Sequence, residues 1–159
     1  MPDLLPSVAQ TRGRLANWSL RDWGLVTRLG LSSLLVTAHL YSKPLPRVVE
    51  ELTRCAAEGH WLWRRSAILS YEAPRLTRMA DVAARLSPWY GRCLVRSLLL
   101  FWLLCMRGEV VSLCLGVRKE HAGLLGHAWL ETGAGGLAET GGSAERFVTV
   151  VRFSSLRYV

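Results

Sequence analysis

Residues 92–117 read RCLVRSLLLFWLLCMRGEVVSLCLGV, and the change of pattern inside this stretch decides the fold. From Arg92 or Cys93 to Arg107 the residues are good helix formers and apolar almost throughout, and Gly108 stands where a helix stops. From Val110 to Val117 the chain turns into a short run rich in strand formers. Two more such runs follow, His127 to Glu131 and Phe147 to Phe153, with turn residues between them, including the Gly-rich patch Gly133 to Gly142. Upstream the pattern is helical. Ser19 followed by Asp22 has the form of a capping box and predicts a helix from Leu20 to about Tyr41, ending before Lys43-Pro44-Leu45-Pro46. Pro46 suits the first turn of a second helix, with Val48, Leu52, Cys55, Ala56 and Gly59 on one face. Pro74 opens a third, with Leu76, Met79, Val82, Ala83 and Leu86 at helical spacing, and Ser87-Pro88-Trp89-Tyr90-Gly91 breaks it. The expected class is α+β: a helical region over 1–86, then a core over 87–159 made of a cysteine-bearing helix and a small antiparallel sheet. A chain of 159 residues fits one compact domain holding both.

Half the residues are apolar and a fifth are charged, with a mean hydropathy of +0.20, so the chain can bury a core. Leu25 to Tyr41 is interrupted by Arg28 and His39, and the run Leu98 to Met106 is short. Both fall below the roughly 18 to 20 residues that span a bilayer, and they read as buried or interfacial helices. The net charge is +8, and 18 of the 20 cations are Arg. Nucleic acid is not the expected partner, because there is no zinc-finger spacing, no aromatic RNP-like strand and no basic run longer than Arg64-Arg65. An anionic membrane surface, touched peripherally, or an acidic partner suits the charge at least as well. Cys55, Cys93, Cys105 and Cys114 contain no CxxC pair, which argues against structural zinc. Met1 to Arg14 lacks the features of a secretory signal, so a cytoplasmic protein with reduced thiols is expected.

Cys93 lies where a loop becomes an apolar helix. Free backbone N–H groups and the positive end of the helix dipole there favour negative charge on sulfur, and Arg92 and Arg96 would add to it. Cys55, Cys105 and Cys114 read as core residues. His127, 34 residues downstream at the start of a short strand, is the candidate base for a Cys-His pair. A third group that orients the imidazole would improve it. After His127 there is no Asp or Asn, and the acids are Glu131, Glu139 and Glu145. Glu131, four residues along the same strand, is about 13 Å from His127. Glu139 ranks first, since Gly133 to Gly136 can turn the chain and bring Leu137-Ala138-Glu139 back beside His127.

Cys93-Leu94-Val95-Arg96-Ser97-Leu98, Leu115-Gly116-Val117-Arg118-Lys119 and Gly126-His127-Ala128-Trp129-Leu130-Glu131 together resemble the transglutaminase-like cysteine protease of lasso-peptide biosynthesis. That enzyme, the catalytic part of the B protein, removes the leader from a precursor peptide. The resemblance is firm from about Ser87 to Glu139 and looser over the helical part. It implies a papain-like or transglutaminase-like core with the cysteine at a helix start and the His and acid on neighbouring strands. The family pattern is Cys, His, Asp, and Glu139 holds the acid position here. No metal or cofactor is implied. The implied partners are the precursor peptide, a leader-recognition protein and an asparagine-synthetase-like cyclase. Residues 1–86 read as helices, not as a winged recognition module, so the recognition protein is expected to be separate. A non-catalytic scaffold of the same pathway and an amine-transferring transglutaminase are the rival readings.

Overall fold

The computed structural model describes residues 18–58, 68–86, 91–120, 123–132, 135–137 and 146–155. Among the described residues four helices, Leu20–Ser42 (α1), Leu45–Glu58 (α2), Ala73–Ala84 (α3) and Arg92–Met106 (α4), precede four strands, Val111–Glu120 (β1), Gly123–Thr132 (β2), Gly135–Leu137 (β3) and Val148–Ser154 (β4). The class is α+β, as expected.

The middle helix of the packing is α4. Every residue from Ser97 to Leu104 is buried, and a run of more than two turns covers the whole circumference of a helix. It is therefore enclosed on all sides, by α1, α2 and α3 on one side and by β1 and β2 on the other. One hydrophobic core results, running from Leu29, Val49 and Met79 of the first three helices through Phe101 to Leu113 and Leu130 of the sheet. The core thus joins residues on both sides of position 87. Gly108, at φ 79°, takes the left-handed conformation that ends α4, and the chain turns directly into β1.

The strands form an antiparallel sheet in the order β3-β2-β1-β4. β1 and β2 pair without a break from Val111↔Thr132 to Glu120↔Gly123, so β2 begins four residues before His127, where the sequence pattern would start it. The extra length lies beyond the core. Leu124 and Leu125 are both exposed there, so the sequence has no in-out alternation to signal a strand, and the ladder of backbone hydrogen bonds extends it regardless. β3, antiparallel to β2 beside Leu130 to Thr132, is a further strand within the Gly-rich patch. Between β1 and β4 the register slips at Leu115/Gly116, a bulge that leaves Val150 without an opposite residue.

The start of α1 is fixed as its sequence predicts. The Ser19 hydroxyl accepts from the Asp22 N–H at 3.3 Å, and Asp22 Oδ2 accepts from the Ser19 N–H at 2.6 Å, the reciprocal capping box. Arg75 of α3 adds an ion pair to the same oxygen at 2.5 Å, with Asp22 only 1% exposed. Burial works against ionisation of Asp22, but the bonds from Ser19, Arg75 and Tyr71 outweigh it and hold the carboxyl at about 2. The opposite side of α1 faces solvent, with Leu20, Leu31, Leu34 and Leu35 exposed.

Because the folded pKa of Asp22 is below its ordinary value of 3.8, its contribution to stability is complete above about pH 4 and is lost as pH falls toward 2. Asp22→Asn should therefore destabilise the protein at pH 7 by about 1.5 to 3 kcal/mol, the worth of hydrogen bonds to a charged group. Chemical denaturation from pH 7 down to pH 2 checks this: the gap between wild type and variant should close toward the acid end.

Candidate active site

Cys93 is the second residue of α4. Gly91 caps the helix with no side-chain bond, and its carbonyl accepts from the Leu94 N–H at 3.0 Å and the Val95 N–H at 3.5 Å. The N–H groups of Arg92 and Cys93 precede this first intrahelical bond and point out of the helix end. The thiol is turned back over that end: a Cβ placed on Gly91 would lie 3.5 Å from Cys93 Sγ. Half-buried Cys93 thus sits at the N-terminal end of α4, where the helix dipole is positive. Arg96, expected to add to this, is directed at Asp81 of α3, 3.9 Å away.

His127 lies in the middle of β2, opposite Gly116 of β1. Its ring stacks on Trp129, with centroids 6.1 Å apart and planes at 17°, and the Phe147 ring is 5.0 Å away. Trp129 is held in turn. Its indole N–H donates to Glu131 Oε1 at 3.0 Å, and Glu131 Oε2 pairs with Arg152 of β4 at 2.7 Å. Glu131 is thereby committed to Trp129 and Arg152. The ring of Trp129 fits because residue 116 is glycine: a Cβ there would come within 2.7 and 2.8 Å of two Trp129 ring carbons and 2.8 Å of the Val148 carbonyl.

One buried hydrogen bond ties the two halves of the site together. Ser97 Oγ, one helical turn after Cys93, donates to the carbonyl of Ala128 at 3.0 Å, next to His127. Cys93 and His127 are both among the residues that line a cavity of about 660 Å³, almost wholly apolar, walled by Leu45 and Pro46 of α2 and by Val150, Val151 and Phe153 at the β4 side. The pleat sets the His127 ring with Trp129 on the face of β2 away from Leu130, which packs in the core with α4, so the imidazole is not brought against the thiol. Volume and character are those of a site for an organic ligand or a peptide segment.

A cysteine at a helix start, followed by a histidine on an antiparallel strand, is the order of a transglutaminase-like core, and the sequence model of the transglutaminase-like superfamily matches residues 37–152. The chain belongs to the transglutaminase-like superfamily. No match was found among curated proteins or among solved structures. The superfamily match begins within α1 and so takes in α2 and α3 together with α4 and the sheet, as the continuous core does.

Within this transglutaminase-like domain the other cysteines have different surroundings. Burial pushes the Cys105 thiol up to about 12. Burial, with the negative charge of Glu131 nearby, raises Cys114 to about 11. Both stay protonated at neutral pH, as core thiols. Cys55 is half-buried on α2. Glu139 and Glu145 lie outside the described residues. Among the described residues, no three His, Cys, Asp or Glu side chains gather as a metal site, and no helix is long and apolar enough to cross a membrane.

Ser97, Gly116 and Phe147 belong to this arrangement and are not singled out for it by the sequence. Ser97 carries one signal, a hydroxyl four residues after Cys93 in an otherwise apolar run. Gly116 carries none, because its role depends on a ring thirteen residues away.

Gly116→Ala should force Trp129 off its place beside His127 and cost about 1 to 3 kcal/mol, the usual range for overpacking. Thermal unfolding and the chemical shifts of the His127 ring together check this. A melting temperature equal to wild type with an unmoved histidine would show that the sheet absorbs the methyl group.

Proposed function

We propose that the protein is a cysteine peptidase that removes the leader from a lasso-peptide precursor. The observation that carries the reading is Cys93 on the wall of the cavity with its thiol at a helix N-terminus, and the β2 segment that bears His127 along the same wall. The resemblance of the segments around Cys93, Leu115 and His127 to the lasso leader peptidases supplies the substrate.

This mechanism requires the His127 ring to leave the Trp129 side of β2 and reach Cys93; it then takes the thiol proton, and the thiolate adds to the carbonyl carbon of the scissile bond. The N–H groups at the start of α4, that of Cys93 included, receive the developing oxyanion. Collapse of the tetrahedral adduct breaks the C–N bond as His127 returns its proton to the leaving amine, and an acyl thioester remains on Cys93. Water, deprotonated by His127, attacks the thioester, the C–S bond breaks and the thiol is restored. Glu139 is the acid proposed to orient the imidazole. β3 runs in the direction required, with Leu137 opposite Leu130. For Glu139 to reach His127 the pairing must shift by one residue after Leu137, since an unbroken ladder sets Thr140 opposite His127. Leader recognition falls to a separate protein that raises the local concentration of the precursor, and an asparagine-synthetase-like cyclase takes the freed core peptide, all in the cytoplasm.

The test is incubation of precursor and recognition protein with this protein, followed by mass spectrometry. Leader and core fragments are expected from wild type and none from Cys93→Ala. Intact precursor held in a complex would make the protein a scaffold, and a crosslinked or amidated product would make it an amine-transferring transglutaminase. Iodoacetamide at pH 7 should label Cys93 ahead of Cys105 and Cys114, whose thiols are held protonated by burial; the reverse order would remove Cys93 as nucleophile.

Glu139→Gln keeps the side-chain shape but removes the charge that stabilises imidazolium, so turnover should fall at least tenfold. Glu131→Gln should do much less. Wild-type turnover in Glu139→Gln would leave a Cys-His dyad.

A further inference from the structure

Outside the cavity, the most distinctive surface is the solvent side of α1. At 100° per residue, Leu20, Trp23, Thr27, Leu31, Leu34, Leu35, Ala38 and Tyr41 fall within a stripe about 120° wide that runs the whole 23-residue helix. The large members are open to solvent: Leu20 is 92% exposed, Leu31 61%, Leu35 63% and Tyr41 61%. Leucines at this level of exposure, aligned over about 22 Å of helix, form a patch of the kind that marks an interaction surface.

Charge is placed on one flank of the stripe. Arg21, Arg28 and His39 share that flank by the same helical spacing, and all three are exposed. The single carboxylate of α1, Asp22, is turned inward and paired with Arg75. Glu51, which faces His39 at 3.6 Å, is bound by Lys43 at 2.6 Å. The exposed side of α1 thus combines an apolar stripe, aromatic residues toward both ends at Trp23 and Tyr41, a cationic flank and no exposed acid. That is the pattern of a helix lying in the plane of a lipid interface, and the net charge of +8 favours an anionic surface.

We propose that α1 docks this protein, side-on and reversibly, to an anionic lipid bilayer, with the leucines at the acyl boundary and Arg21 and Arg28 at the headgroup phosphates. The contact is on the outer side of α1, so it is compatible with an open cavity at Cys93.

Flotation of the full chain with vesicles tests this. Vesicles of phosphatidylcholine and phosphatidylglycerol in a 7:3 ratio should bind at least tenfold more protein at 50 mM salt than vesicles of phosphatidylcholine alone. The triple variant Leu31→Gln, Leu34→Gln, Leu35→Gln should lose at least tenfold of that binding, and its circular dichroism reports whether the fold is kept. Arg21→Gln with Arg28→Gln, which leaves the apolar stripe intact, should weaken binding to the anionic vesicles and flatten its dependence on salt. Equal binding to both vesicle types, no binding to either, or wild-type binding by the triple variant would each overturn the proposal. So would a lipid-free dimer that the triple variant dissolves while vesicle binding is absent, which would assign the face to a second copy of the chain.

Discussion

A helix that is apolar around its whole circumference must be covered on every side, and α4 imposes that requirement on the molecule. No single layer can do it. Three helices cover one side and the sheet covers the other, so the α+β architecture follows from the run Leu98 to Leu104. The same requirement limits where a side chain of α4 can stand open to a ligand. Only the ends of α4 escape burial, and of these the N-terminus has orphan N–H groups and a positive dipole. A cysteine at that end is held in place by the largest part of the core without being enclosed by it.

The sheet carries His127, the second residue of the proposed site, and is registered against α4 by a polar bond in an apolar setting. Ser97 reaches the Ala128 carbonyl one turn from Cys93 and one residue from His127. A bond of this kind gains modestly when made, but a buried partner left without it costs more, so it selects one alignment of helix and strand. On the strand, the order is carried sideways: Gly116 makes room for Trp129, Trp129 supports His127, and Glu131 with Arg152 fixes Trp129. Glu131 therefore acts on the histidine through an indole.

Much of this is legible in the sequence, for identifiable reasons. The capping box at Ser19 and Asp22, the prolines at 46 and 74 and the glycine at 108 are local signals, and each helix boundary they mark agrees with the structure to within a residue or two. The placement of Cys93 follows from the same punctuation. What depends on pairing between distant strands is not legible. β2 continues past the buried part of the sheet where Leu124 and Leu125 break the alternation, the return strand β3 is anticipated from the turn glycines but already includes Gly135 and Gly136 and sets Leu137 opposite Leu130, and the slip at Leu115/Gly116 is a property of two strands together. The partner of Glu131 escapes a sequence reading for the same reason: Arg152 comes alongside only through the β1–β4 pairing.

The ion pair between Asp22 and Arg75 joins residues 53 positions apart, and that span bears on lifetime as well as on equilibrium stability. The capping bonds to Ser19 are local and form with the helix itself, whereas the pair with Arg75 exists only once α3 has docked and the intervening chain has been closed into a loop. A contact of this order acts chiefly as a latch. It does little to hasten the approach of α1 and α3, and it must be broken before they can separate, so its weight falls on the rate of opening.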